Sequence, residues 1–218
     1  MAAFVRRIWN NTGPDLVMQE LLYGFIMALL FVTATRAGVI PFEGKLDLCL
    51  LIIGMNVTWG AIDAILFYMI DVFNQRRFIN IMNSCGTRGD CVDAMMDEFG
   101  GTPLDILDPE DERKVCEMIL ESRIAEGFDL RRDRRDMAYS AIGCFLVTVL
   151  SIFPVIIPIL VFPDIGTGTA VASLVSAALL FLVGWDMGDR LGTSRLKTGV
   201  AVLCVATVLI LVGTFTGG

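Results

Sequence analysis

Two apolar stretches of this sequence carry polar side chains at helical spacing. In GMNVTWGAIDAILFYMI, residues 54–70, Asn56, Gly60 and Asp63 stand at i, i+4 and i+7 and so share one stripe of a helix. Glu20, Gly24 and Met27 repeat the pattern upstream, again with a small residue in the middle. A small residue there lets another helix come close. Asp63 lies about seven residues, roughly 10 Å, from the end of its apolar run. That is too deep for so short a side chain to reach water, and a carboxylate left in lipid at that depth costs a few kcal/mol. It should therefore face a bundle interior or a water-filled cavity. There it can bind a cation or carry a proton, or it can serve folding by pairing with an arginine or a Trp or Thr donor.

A second set lies in polar sequence. Glu110, Glu117 and Glu121 recur at i, i+7 and i+11, along one stripe of a helix. Carboxylates presented together, alone or with a second subunit, can collect a hard or borderline divalent cation. The same stripe also reads as a solvated acidic face, with Arg113, Lys114 and Arg123 as neighbours. Met95 and Met96 divide in the same way between packing and soft metal ligation.

The elements that must position these residues are set by composition. Hydrophobic residues make up 55% of the 218, and mean hydropathy is +0.69, above the balance of a soluble domain. The formal charge of −7 excludes a nucleic-acid binder, which needs a basic face. At about 20 apolar residues per crossing, five membrane helices are expected. They run from about Leu16 to Thr35, Leu46 to Phe73, Met137 to Phe162, Thr167 to Trp185 and Thr198 to Phe215. The fold class is thus an all-α polytopic membrane protein with a helical insert between spans two and three. Residues 1–73 hold spans one and two, 74–136 the insert, and 137–218 spans three to five. In span three, Pro154 and Pro158 each remove a backbone donor and are expected to bend the helix.

Basic residues orient the chain. Fifteen of the seventeen Lys and Arg fall on one side: Arg6 and Arg7, those of the insert, and Arg190, Arg195 and Lys197. Only Arg36 and Lys45 fall on the other, so the N-terminus and insert are expected to be cytoplasmic and the C-terminus external or lumenal. Nothing before span one resembles a removable signal, because Trp9–Asp15 interrupts any apolar core. Within the insert, short helices are expected at Cys91–Phe99, stopped by Gly100-Gly101, and from Asp108-Pro109 to about Ala125, before Gly127. Three of the six cysteines lie in spans and three in a reducing compartment, so disulfides are not expected. There is no histidine, and no nucleophile–base pair stands out, so an enzyme is not expected either.

Several segments together resemble the vacuolar iron transporter (VIT) family, in its small prokaryotic-type members. They are LLYGFIMALLFVTAT, GMNVTWGAIDAILFYMI, FLVTVLSIFPVIIPILVF, ALLFLVGWDMGDRLG and RLKTGVAVLCVATVLILVG, covering both membrane blocks. The order of two helices, an insert and three helices is also similar. The resemblance implies a homodimer in the lipid bilayer that exports Fe²⁺, and also Mn²⁺, from the cytosol in exchange for protons. No tightly bound cofactor is implied; the metal is cargo. By position, Glu110, Glu117 and Glu121 would be metal ligands of the insert, and Glu20, Met27, Asn56 and Asp63 would line the path, with Glu20 and Asp63 as metal ligands. An oxygen and sulfur ligand set suits Fe²⁺, and a deep carboxylate can exchange metal for a proton. The chain departs from the family pattern in span one, where Gly24-Phe25-Ile26-Met27 carries no aspartate, and its insert is poorer in glutamate. The alternative is a non-transporting membrane protein whose helical insert binds a partner or senses metal.

Overall fold

The computed structural model describes Ile8, residues 11–126 and residues 130–216. Arg6, Arg7, Trp9, Asn10, the expected helix stop at Gly127 and the last two glycines lie outside the described residues, as do the side chains of Arg123, Arg131 and Arg132. Among the described residues the chain is all-helical, without a strand. Five helical segments are long and apolar enough to cross a membrane: Pro14–Arg36, Lys45–Ile81, Asp133–Val161, Ile165–Arg190 and Arg195–Thr216. This is a multi-pass membrane protein.

Helix α1 is Pro14–Arg36, opened by a proline in its first turn, where a missing N–H is not needed. Its exit passes through Gly38 at φ 72°, a left-handed turn that glycine enters without cost. Helix α2, Lys45–Ser84, has 40 residues. At 1.5 Å per residue it is roughly 60 Å long, twice a hydrocarbon core, so it must project well beyond one. Helix α3 is Arg88–Phe99. Its start is fixed by a capping box in which the Thr87 hydroxyl accepts from Asp90 N–H and the Asp90 carboxylate accepts from Thr87 N–H. A short 3₁₀ turn at Pro103–Ile106 leads to α4, Pro109–Glu126.

The third span is not one helix. Helix α5, Leu130–Leu150, ends four residues before Pro154, and α6, Phe153–Val161, begins after a turn at Ser151–Ile152. Pro154 cannot donate to the Leu150 carbonyl and its ring would collide with it, so the helix stops there and restarts with Pro154 in a first turn. Pro158 lies inside α6. The pair expected to bend span three therefore includes a residue that breaks it.

Helices α7, Ile165–Arg190, and α8, Arg195–Thr216, pack through glycine. A Cβ on Gly184 would come 2.8 Å from Val202 Cβ, and one on Gly188 would come 2.8 Å from Arg195 Cα. Gly192, in line with these two at the sequence level, instead lies past the end of α7 at φ 64° with open space around it.

The chain divides into two compact units, Met1–Phe67 with Tyr139–Gly218, and Tyr68–Ala138. The first is centred on Phe25, Ala28 and Val32 of α1, Leu48 and Ile52 of α2, Val155 and Ile159 of α6, Leu180 of α7 and Ile210 of α8. The second is built around Cys91, Val92 and Met95 of α3 and Cys116 and Leu120 of α4, with Phe78 and Ile81 against them. Several of its acids pair with cations: Arg77 with Glu98 at 2.7 Å, Arg88 with Glu121, Arg113 with Asp93, and Lys114 with Asp111 at 3.0 Å.

Candidate functional site

In the first unit, three helices bring polar atoms together. Glu20 of α1 is fully buried. The hydroxyl of Thr148, on α5, donates to its Oε2 and shares that donor with the Cys144 carbonyl at 3.0 Å, while Oε1 has no hydrogen-bond partner among the described residues. Asn56 of α2 is also fully buried; its Nδ2 donates to the Ile52 carbonyl at 3.1 Å, and its Oδ1 is unpartnered. Buried acceptors are nearly always matched by a donor or an ion, and leaving one unmatched costs about 1–3 kcal/mol. Glu20 Oε1 therefore calls for a proton, a water or a cation, and Asn56 Oδ1 for a water or a cation.

Asp63 is half-buried and close enough to Glu20 for its charge to act there. It opens onto a cavity of about 270 Å³ lined also by Tyr23, Ile26, Met27 and Trp59. Met27 and Trp59 also line a second cavity of about 280 Å³, which reaches Val39 and Ile40 beyond the end of α1 and Thr214 on α8. Of the expected path residues, Met27 and Asp63 line one cavity and Glu20 lies near Asp63, with Met27 between two cavities, whereas Asn56 lines neither cavity.

The middle glycines of the two stripes make room for the same neighbour. A Cβ on Gly24 would collide with Ser151 Oγ, and one on Gly60 would come 3.2 Å from Thr148 Cβ. The helix admitted is α5, whose last turn fills the space beside both stripes. Thr148 and Ser151 stand three apart just ahead of the Pro154 break, and Ser151 Oγ donates to the Thr148 carbonyl at 2.7 Å. Neither was legible as a site residue, because Ser and Thr in apolar helices commonly bond their own i−4 carbonyl and signal nothing more. Thr214 escaped for the same reason, although its buried hydroxyl, unlike those of Thr207 and Thr216, makes no such bond.

The acids of the insert are arranged otherwise. Glu110 is exposed with Lys114 at 3.6 Å, and Glu121 pairs with Arg88. Glu117 is half-buried and faces the same arginine, whose pKa is held above its ordinary value first by Glu121 and then also by Glu117. Among the described residues no group of three or more Cys, Asp or Glu side chains is placed to hold a metal ion. The stripe of Glu110, Glu117 and Glu121 is therefore not gathered into a ligand set within one chain. Met95 is a core residue, fully buried, and Met96 packs against that core.

The second unit also has an open cavity of about 650 Å³ between the end of α2 and α3, where Arg76 and Arg77 face Asp90 and Glu98. In its core the Cys91 thiol is pushed up to about 11 by its hydrogen bond with Cys85 and by burial, and Cys85 donates to the Ile81 carbonyl at 2.8 Å. Such thiols are held protonated and packed rather than poised for attack.

Compared with known proteins, the chain matches no family model, no curated protein and no solved structure.

Proposed function

We propose that this protein is a divalent-cation transporter of the vacuolar iron transporter kind, moving Fe²⁺ or Mn²⁺ out of the cytosol in exchange for protons. The observation that carries this reading is Glu20: a fully buried carboxylate with one oxygen unpartnered among the described residues, close to Asp63, which itself opens onto a cavity that Met27 also lines. Two carboxylates, an amide oxygen at Asn56 and a thioether make an oxygen-rich set with one soft donor, which suits a borderline divalent ion. Carboxylates of this kind release a metal when protonated and rebind it when ionised, which is the chemistry of exchange. The segments quoted from the five spans support the family assignment. The distribution of Lys and Arg supports a cytoplasmic N-terminus and insert. In this reading the working form is a homodimer, and the insert gathers metal only where two copies bring their acids together.

A second reading is favoured by one observation in the insert. Four of its acids, Glu121, Asp93, Glu110 and Asp111, are already paired with Arg88, Arg113 and Lys114, while Ile106 is 86% and Met118 68% exposed. A surface of that kind suits a protein partner better than a cation. The two readings separate in reconstituted liposomes. A transporter moves Fe²⁺ or Mn²⁺ when a pH gradient is imposed and loses the movement in Asp63→Asn. A chain that moves neither ion under either polarity of gradient is not a transporter of them.

A further inference from the structure

The proposed site has been described by residues of α1 and α2, but its third wall is α5. Thr148 is 1% exposed and touches both stripes: its hydroxyl reaches Glu20 Oε2, and its Cβ and Cγ2 lie against the bare face of Gly60. The placement has a traceable cause. Pro154 ends α5 at Leu150, so Thr148 lies in its last turn and Ser151 just past its end, where Ser151 Oγ supplies a donor to the Thr148 carbonyl. Gly24 leaves room for Ser151 there. The carboxylate is thereby held by one oxygen and, among the described residues, left without a partner at the other.

We propose that Thr148 is a positioning residue for cation binding: its hydroxyl fixes Glu20 so that Oε1 is presented, unpartnered, to the transported divalent ion. The inference rests on the reading of Glu20 as a cation ligand. A hydroxyl suits this role better than a cation would. An arginine or lysine in its place would neutralise the carboxylate and compete with the metal, whereas a neutral donor orients it and leaves its charge available. Without the hydroxyl, Glu20 keeps its charge but can rotate, and binding must supply the ordering that Thr148 supplies now. Thr148 touches no ion in this account; it acts through Glu20.

The experiment uses the full chain in liposomes, with initial rates of Mn²⁺ uptake measured against Mn²⁺ concentration under a fixed pH gradient. Thr148→Val keeps the shape and removes the donor. It is expected to raise the half-saturating concentration about ten-fold, the weight of one hydrogen bond to a charged group, with little change in maximal rate. Thr148→Ser restores the donor and should return the value to within about two-fold of the parent protein. The carboxyl stretching band of Glu20, assigned in the infrared by its loss in Glu20→Gln, should shift in Thr148→Val and not in Thr148→Ser. This readout does not depend on transport and would not move if Thr148 only filled space.

A Thr148→Val protein that folds and shows the parent half-saturation, or an unmoved Glu20 band, overturns the assignment of Thr148 while leaving the function intact. Equal damage from Val and Ser, with both proteins folded, also overturns it, because the donor is then irrelevant. If Thr148→Val does not fold, the Ser variant and its Glu20 band still decide: a shifted band or altered half-saturation in Ser refutes the role, and parent values support it. Parent-like uptake in Glu20→Gln refutes Glu20 as a ligand, and absence of uptake by the parent refutes transport; the present inference falls with either.

Discussion

The two units of this molecule treat acidic side chains in opposite ways. In Met1–Phe67 with Tyr139–Gly218, Glu20 is buried among apolar helices with a hydroxyl on one oxygen and, among the described residues, no partner on the other. In Tyr68–Ala138, Glu121, Asp93, Glu98 and Asp111 each stand against an arginine or lysine at the surface. Exposed pairs of this sort contribute little to stability, because water solvates both partners almost as well. A buried acid has no such substitute. Its unmatched oxygen persists only if something outside the chain completes it, or if a proton does. Acidic residues are counted alike in a sequence, but in this fold some are paired at the surface while Glu20 is buried with one oxygen lacking a partner among the described residues.

The contrast can be broken most directly by neutralising one acid in each unit. Glu20→Gln is expected to reduce Mn²⁺ uptake to background, whereas Glu121→Gln should stay within about two-fold of the parent rate, since only an exposed pair is lost. If Glu121→Gln abolishes uptake and Glu20→Gln does not, metal handling belongs to the insert.

Packing offers the next contrast. The second unit is held by side-chain volume, and truncating its fully buried Met95 to alanine should cost about 2–5 kcal/mol. The first unit is held at α7 and α8 by absent volume. Gly184→Leu should cost about 1–3 kcal/mol by forcing those helices apart. Hydrogen exchange checks both. Met95→Ala should expose amides within 68–138, and Gly184→Leu amides of α7 and α8. Spreading of either effect across both units would show that they unfold together.

A smaller effect is expected at the start of α3. Thr87→Ala removes one half of the capping box and should cost about 1 kcal/mol, seen as faster exchange at the first turn of α3.

The smallest effect concerns Cys91. Its folded pKa of about 11 lies above its ordinary value of 9.0, so the folded state holds the thiol proton more tightly than the unfolded state does. The associated stability is full below pH 9 and is lost as pH rises through 11. Alkylation of Cys91 should accordingly be slow at pH 8 and rise only through that window. Rapid labelling at pH 7 would show that the thiol is open and ionised.

Much of this architecture was legible in the residues. Each of the five expected spans corresponds to a helix or a helix pair, the second of which runs on past Phe73 to Ser84, because a bilayer-length apolar run is a local property with few competing explanations. Gly100-Gly101 marked the end of α3 and Asp108-Pro109 the start of α4 for equally local reasons. The capping box at Thr87 extended α3 three residues ahead of the apolar pattern, which periodicity does not register. The break in span three was only half legible. Two prolines announce lost donors, but whether a helix bends or stops depends on what surrounds the freed carbonyls.

What the sequence alone determined is therefore the set of parts: five apolar helices, a charged helical segment, and two stripes each carrying an acid and a glycine. It could not determine which acids would be matched. Glu20 and Thr148 are separated by 128 residues and meet only because Pro154 ends α5 where Gly24 and Gly60 leave room for its last turn. Arg88 and Glu121, separated by 33, meet because α3 and α4 share a core. Helical periodicity fixes the face on which a side chain stands, since that follows from neighbours three and four residues away. The identity of the group across from it is decided by packing, and packing is what left one oxygen of Glu20 open.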